Sequence, residues 1–532
     1  MRKLSLILLV LLLAVVYANS QVSQTWVKQF GVGIAPSQAA HAIDVDQEGN
    51  VYVGGNSHLL KYSSYGGLLW QKEVISKFLS VGNGDNGLYS INMGGDWSTG
   101  YNYDLTKLET TTGAVQWQEA YDEIGWNEPK ASVTDDNGNV YIVGFSGQRP
   151  DYQYVLLKFD VFGTLLWVTN FNETLWDEPS DVAIDNIGNV YITGKSQLQV
   201  DSFDYLTIKY DSAGNQKWIA RYDGGTNNWN IATALAIDNA GDIYVTGYSG
   251  VFAGHLKSDI TTIKYDSSSG SLLWVKSYDG PYSGTDWDAD TPIGIGVGLS
   301  GVFVTGWIEG ATGFDWVTLK YDTDNGDQQW VKIYNAAESI SPVAMVIDPN
   351  DNIYVTGDIA RPKSGFYSNY DMLTVKYDSY GNQVWITSYD KVGSSVDKPR
   401  AIKVVGENIY VTGYSLVDNV NSYYTTIKYT QVITNLSDEP NAQRLTDFIL
   451  NQNYPNPFNP RTTISYQLPV ASEVELIIYN SLGQQVAILI SENQPAGQHQ
   501  YQWDASIFSS GVYLYRLRAG GHVITKKMFL LK

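Results

Sequence analysis

Residues 24–31 read QTWVKQFG, a fragment that looks like the end of a structural unit whose beginning is missing. The complete unit is written further along the chain. AIDNIGNVYITGKS (183–196) leads into DYLTIKYDSAGNQKWIARYDG (204–224), and AIDNAGDIYVTGYS (236–249) leads into DITTIKYDSSSGSLLWVKSYDG (259–280). Repetition at a fixed period takes precedence over other signals in assigning a fold. Each unit reads as four short strands: A ends at the aspartate, B is of the NVYVTG type, C of the TIKYD type, and D contains the tryptophan. Gly, Asn, Asp and Ser sit where tight A–B and C–D hairpins need them. Both faces of these strands are rich in Val, Ile, Tyr and Trp, so both are expected to be buried.

A four-stranded sheet that must bury both faces cannot stand alone, and radial stacking on copies of itself is the β-propeller solution. The D-strand tryptophans are Trp26, Trp70, Trp117, Trp167, Trp218, Trp274, Trp330 and Trp385, spaced 44 to 56 residues apart. The C-strand lysines are Lys61, Lys107, Lys158, Lys209, Lys264, Lys320, Lys376 and Lys428. The series are offset. Trp26 has no A, B or C strand before it, and TTIKYT (425–430) has no D strand after it. The opening fragment is therefore expected to supply the outer strand of the last unit. An all-β, eight-bladed propeller closed by its N-terminal strand follows, with seven blades as the alternative if the degenerate segment 87–109 is an insertion. The units resemble the bacterial β-propeller repeat family with GNVYVTG-type strands, a resemblance that speaks to fold and not to function.

Composition agrees: 50 Gly, 39 Tyr and 16 Trp, against 17% charged residues, suit many short strands joined by tight turns. The chain has 532 residues and no cysteine, which excludes disulfides, thiolate metal sites and cysteine nucleophiles. A net charge of −21 argues against a nucleic-acid partner. Arg2 and Lys3, the apolar run Leu4 to Val16 and a small-residue site ending at Ser20 read as an export signal over residues 1–20. No membrane anchor is expected after its removal, and the mature protein is expected to be a monomer.

Residues 21–430 are assigned to the propeller and 431–451 to a polar linker. Residues 452–532 are assigned to a small Ig-like antiparallel sandwich, because alternating strands with turn glycines fill them. This tail opens on YPNPFNP: Tyr454, Pro455, Asn456, Pro457, Phe458, Asn459 and Pro460. It continues through LIIYNSLGQQV with Gly483 and SGVYLYR with Gly511 and Tyr513, to a basic end at Lys526 and Lys527. These motifs closely resemble the type A sorting domain of the bacterial type IX secretion system. The resemblance implies a Gram-negative source, recognition by the type IX machinery, and a secreted or outer-membrane-surface location.

Residues present in every blade are expected to be structural: the tryptophans between blades, the lysines pairing with aspartates such as Asp185, Asp238 and Asp348. The aspartates themselves are expected to bond their own turns. Function is sought where blades differ, on the face of the longer B–C and D–A loops. Four loops there carry tryptophan beside acids or amides, giving Trp126 and Glu128, Trp176 with Asp177 and Glu178, Trp229, and Trp287 as candidate ligand contacts. Aromatic faces flanked by carboxylates suit a glycan, and the competing role is to plug gaps between blades. A surface protein is the other ligand considered. Calcium is the one cofactor considered, at Asp286, Asp288 and Asp290, which alternate as in calcium loops. No catalytic residues can be named; a carbohydrate-active enzyme using paired carboxylates on this face is the alternative function, and a structural surface protein the third.

Overall fold

The computed structural model describes residues 22–531 except 32–37, 83–86, 97–99, 149, 174, 200–201, 226–227, 253–255, 283–287, 312, 336–338, 362–368, 392–393, 418–420, 432–448, 451–452, 454–455, 469–471, 481–482, 495–496 and 520–521. Among the described residues every regular element is a strand. The chain divides into two compact units, 1–433 and 434–532.

The first unit contains eight sets of four antiparallel strands, here called sheets 1 to 8. Sheets 1 to 7 span residues 40–72, 78–121, 126–171, 177–222, 228–278, 291–334 and 340–389. Sheet 8 takes its A, B and C strands from Ser394–Val405, Asn408–Val417 and Asn421–Gln431, and its D strand from Val22–Phe30. The opening fragment pairs antiparallel with the last C strand, from Val22 opposite Gln431 to Phe30 opposite Tyr424. The eight A strands touch one another in cyclic order, the last against the first, so they line the axis of a propeller. Segment 87–109 forms the B and C strands of sheet 2, Gly87–Asp96 and Gly100–Glu109, in unbroken register.

Burial follows position in the sheet. In sheet 1 every residue of strands B (Val51–Gly55) and C (Leu59–Tyr62) is buried, whereas strand D (Leu68–Lys72) alternates toward solvent at the rim.

The recurring residues form one device repeated at seven of the eight seams. The Trp70 indole Nε1 and the Lys61 ammonium both donate to the Thr110 carbonyl of the next sheet's C–D turn, each at 3.0 Å. Lys209 and Trp218 share the Ser267 carbonyl, and Lys264 and Trp274 that of Thr323. At these seven seams the indole lies on the turn glycine of the neighbour. At Gly270, with φ +71, an added Cβ would come within 2.7 Å of the Trp218 ring. At the closing seam Trp26 and Lys428, from the first and last strands of the propeller, both donate to the Ser64 carbonyl. One seam departs from this scheme. Where the chain ends interrupt a C–D turn, the Gln431 side-chain oxygen accepts from Lys376 at 2.9 Å and from Trp385 at 3.4 Å. The last strand therefore runs one residue past the expected boundary at 430, and that residue carries the seam.

The lysines thus bond mainly to carbonyls rather than to the expected aspartates, though Lys264 pairs with Asp242 at 2.9 Å. The aspartates hold their own turns. Asp185 Oδ1 accepts from Ile187 N and Asn189 N, and its Oδ2 accepts from the Tyr191 hydroxyl at 3.1 Å.

The second unit is a two-sheet sandwich. Ile449–Leu450, Arg461–Leu468 and Gly497–Asp504 form one sheet; Gln485–Gln494, Ser472–Asn480, Gly511–Ala519 and His522–Leu530 form the other. They close over one core containing Ile464, Leu476, Ile478, Trp503, Tyr515 and Met528.

Candidate functional site

The tryptophans of the long-loop face stand at or just before the start of A strands, where the chain turns in from the rim toward the axis. Trp126 opens sheet 3, Trp176 precedes sheet 4 and Trp229 lies at the start of sheet 5. Each is half-buried, because the preceding sheet offers it an aromatic partner. Trp126 lies against Tyr101 with ring centroids 4.7 Å apart. Trp176 contacts Tyr152 at 5.3 Å and Phe203 at 6.2 Å, and Phe203 contacts Trp229 at 5.3 Å. A file of four rings, Tyr152, Trp176, Phe203 and Trp229, thus crosses the seams between sheets 3, 4 and 5. Parallel bridges from Tyr152 to Trp176 and from Phe203 to Trp229 hold the file to the backbone.

Glu128 and Glu178 project from the same strands and join a chain of ion pairs. Lys77 meets Glu128 at 3.2 Å, Lys130 bridges Glu128 at 3.0 Å and Glu178 at 2.9 Å, and Lys195 meets Glu178 at 2.9 Å. The chain connects to the aromatic file: the Trp176 Nε1 donates to Glu178 Oε2 at 3.0 Å, and the Lys195 ammonium sits 4.8 Å from a Trp176 ring centroid. Burial alone would raise the Glu128 carboxyl; the Lys130 and Lys77 ammonium groups outweigh it and hold it below the usual range. Glu178 is held low in the same way, by Lys195 and Lys130 against burial. Both acids are fixed as carboxylates. Lys77, Lys130 and Lys195 are the residues that sequence reasoning missed, and their spacing along the chain gave no local motif.

Asp177 has a different task. It is fully buried, and its Oδ2 accepts from Glu173 N at 3.1 Å, tying down the D–A loop. Asp290 does the same in sheet 6, its Oδ2 accepting from Gly280 N at 2.6 Å and its Oδ1 from Glu309 N at 3.2 Å. Of the expected calcium set, then, Asp290 has both oxygens occupied by backbone. Asp286 and Trp287 lie outside the described residues. Asp288 is described only as backbone, its strand pairing in parallel with Lys257 and Ser258.

In the tail, the YPNPFNP segment is strapped to the final strand. Phe458 is buried against Trp503, its N–H donates to the Phe529 carbonyl, and its own carbonyl accepts from Leu531 N. Asn456 Oδ1 accepts from Phe529 N at 2.8 Å, and the Pro460 carbonyl accepts from Ala505 N. Pro457 and Asn459 face solvent, and Tyr454 and Pro455 lie outside the described residues. Gly483 takes φ +77 in the hairpin closed by its N–H to the Asn480 carbonyl, and Gly511 starts its strand. Tyr513 packs on Trp503 and Phe508. Lys526 and Lys527 lie on the last strand, Lys527 exposed with its ammonium 5.0 Å from the Phe529 ring.

This architecture is that of an exported β-propeller with a separate sorting unit. Residues 452–531 match the family model of the secretion system C-terminal sorting domain, and residues 25–58 and 329–359 match that of the β-propeller repeat. The sorting domain places the protein in the type IX pathway, whose products are secreted or held at the cell surface. No curated protein matches the chain significantly. Among solved structures, the periplasmic gluconolactonase PpgL of Pseudomonas aeruginosa is similar at 14% identity, over 66% of this chain and 95% of that one, with a TM-score of 0.43. PorZ of Porphyromonas gingivalis, a surface component of that organism's type IX secretion system, is similar at 14% identity over 91% of this chain and 69% of its own, with a TM-score of 0.26. At these values the likenesses carry no functional argument.

Proposed function

We propose that the protein is a binding module, secreted or displayed at the cell surface, which presents the long-loop face of its propeller to a ligand, a glycan first among those to test. In this reading residues 1–20 are the export signal, and the sorting unit engages the type IX machinery. The observation that carries the proposal is the pairing, across sheets 2 to 5, of the aromatic file with the Lys77–Glu128–Lys130–Glu178–Lys195 chain. The aromatics provide ring faces for stacking, and the ammonium and carboxylate groups provide donors and acceptors for hydroxyls. The charged chain breaks the eightfold repeat, as a site for one ligand must.

The charge state of this cluster tells against a glycosidase built on Glu128 and Glu178. Such an enzyme needs one carboxyl kept protonated near neutrality, and here lysines hold both below the usual range. The test is titration of the full-length protein against a polysaccharide panel, following tryptophan fluorescence and assaying the same samples for new reducing ends. A saturable change, lost in Trp176→Ala and without new ends, is expected. New reducing ends would replace binding with catalysis, and no response across the panel would overturn the glycan assignment.

A further inference from the structure

The eight seams are alike in backbone but not in charge. Three places recur at the long-loop end of a seam: five residues before the C-strand lysine, the residue after the aromatic that ends strand D, and two residues before the proline of the next A strand. Between sheets 2 and 3 these are Asn102, Asp122 and Asn127, and Asn127 Nδ2 donates to Asp122 Oδ1 at 3.1 Å. Between sheets 6 and 7 Asn335 Nδ2 donates to Asp315 Oδ2 at 2.8 Å. At these two seams an amide thus donates a hydrogen bond to the acid beside it.

Between sheets 7 and 8 the three places hold Asp371, Asp390 and Asp397, with no amide among them; between sheets 5 and 6 they hold Asp259, Asp279 and Asp290, but there Gly280 N and Glu309 N occupy the two Asp290 oxygens. One carboxylate oxygen of each lies within 4.8 Å of those of the other two. Asp371 and Asp397 are buried at 0% and 1% exposure, and Asp390 opens to solvent. Asp397 Oδ2 accepts from Lys391 N at 3.0 Å. Its Oδ1 is buried without a hydrogen-bond partner, unlike the corresponding oxygen of Asp290, which Glu309 N occupies. The Lys391 ammonium lies over the Tyr423 ring, 4.5 Å from its centroid, and the Lys398 ammonium pairs with Asp358 at 3.2 Å. Like charges this close in a poorly solvated seam demand either a proton or a cation.

We propose that Asp371, Asp390 and Asp397 form a site for a divalent cation, calcium by preference, that clasps sheet 7 to sheet 8. The donors are all hard oxygens, which suit calcium rather than zinc or copper. Two oxygens on one calcium, each at about 2.3–2.6 Å from it, stand no more than about 5 Å apart, and the three oxygens already meet that limit. Asp390, at the surface, leaves room for water to complete the coordination. The clasp would reinforce the seam beside the sheet that the two chain ends close.

The test uses full-length protein stripped with a chelator and titrated calorimetrically with calcium, alongside thermal unfolding with and without the ion. One saturable site with Kd about 0.1–1 mM is expected, as for extracellular modules, together with a calcium-dependent rise in Tm. Asp390→Asn, at an exposed position, should fold, weaken binding at least about tenfold and abolish the Tm rise. Asp397→Asn should do the same. Absence of saturable binding up to about 10 mM calcium would overturn the site. So would binding that survives in both variants, since it would then reside elsewhere, as in the 286–290 loop.

Discussion

The two ends of the propeller obey different rules. At the short-turn end, one arrangement recurs: an indole and an ammonium donating to a single carbonyl of the neighbouring turn, as with Trp218, Lys209 and Ser267. At the long-loop end the seams diverge: an aromatic file with alternating lysines and glutamates in sheets 2 to 5, and three acids between sheets 7 and 8. The first end uses repetition to hold a ring together. The second departs from repetition where a ligand or ion could be recognised.

The largest effect should come from the repeated end. Trp218→Ala removes a buried indole that covers the turn glycine Gly270 and meets Tyr191 at 6.0 Å, and should cost about 3–5 kcal/mol in urea unfolding. Trp176→Ala, on a half-buried ring at the other end, should cost less. Equal losses would break the comparison, because the long-loop tryptophans would then be as structural as the recurrent ones.

Next comes the seam where a side chain replaces a carbonyl. Gln431→Ala leaves the Lys376 ammonium and the Trp385 indole without their acceptor and removes the donor to the Tyr354 hydroxyl. A loss of about 1–3 kcal/mol follows from stranding a buried donor. Gln431→Glu keeps the acceptor and should retain more of the stability. If Gln431→Ala unfolds at the same urea concentration as the parent, the seam does not depend on this side chain.

Much of the ring was legible in the sequence because closure is a counting problem. Trp26 and Lys428 each lacked a partner, and the structure joins both to the Ser64 carbonyl. Even the weakly repeating 87–109 segment kept Lys107 in phase with Trp117. What each Trp–Lys pair binds was illegible, since the acceptor is a backbone atom and every sequence has one. Sequence pattern therefore points the lysines at aspartates, and these are largely occupied by their own turns. The long-loop end was harder still. Glu128, Lys130, Glu178 and Lys195 come from strands of two sheets and Lys77 from the lead-in to a third, while Asp371 and Asp397 lie on strands of two sheets and Asp390 just past the end of another strand. Only the ring brings them together.

The smallest effect concerns the ion-pair chain, and its sign can be fixed. Glu128 and Glu178 are held below the usual carboxylate range in the folded protein. The stability they contribute is present above the unfolded glutamate pKa of about 4.3 and is lost as pH falls through their lower folded values. The central lysine bridges both acids, so Lys130→Ala should cost about 0.2–1 kcal/mol at neutral pH, at the scale of partly exposed pairs. That difference from the parent protein should shrink in acid, where the glutamates take up protons, and should also shrink in high salt. Measured by urea unfolding across pH, a constant difference would show that Lys130 acts through the packing of its stem against Phe145 rather than through charge, since its ammonium lies 5.1 Å from that ring. The sector around Trp176 would then be ordered by apolar contact, and Glu128 and Glu178 would be freer to meet a ligand than the ion pairs imply.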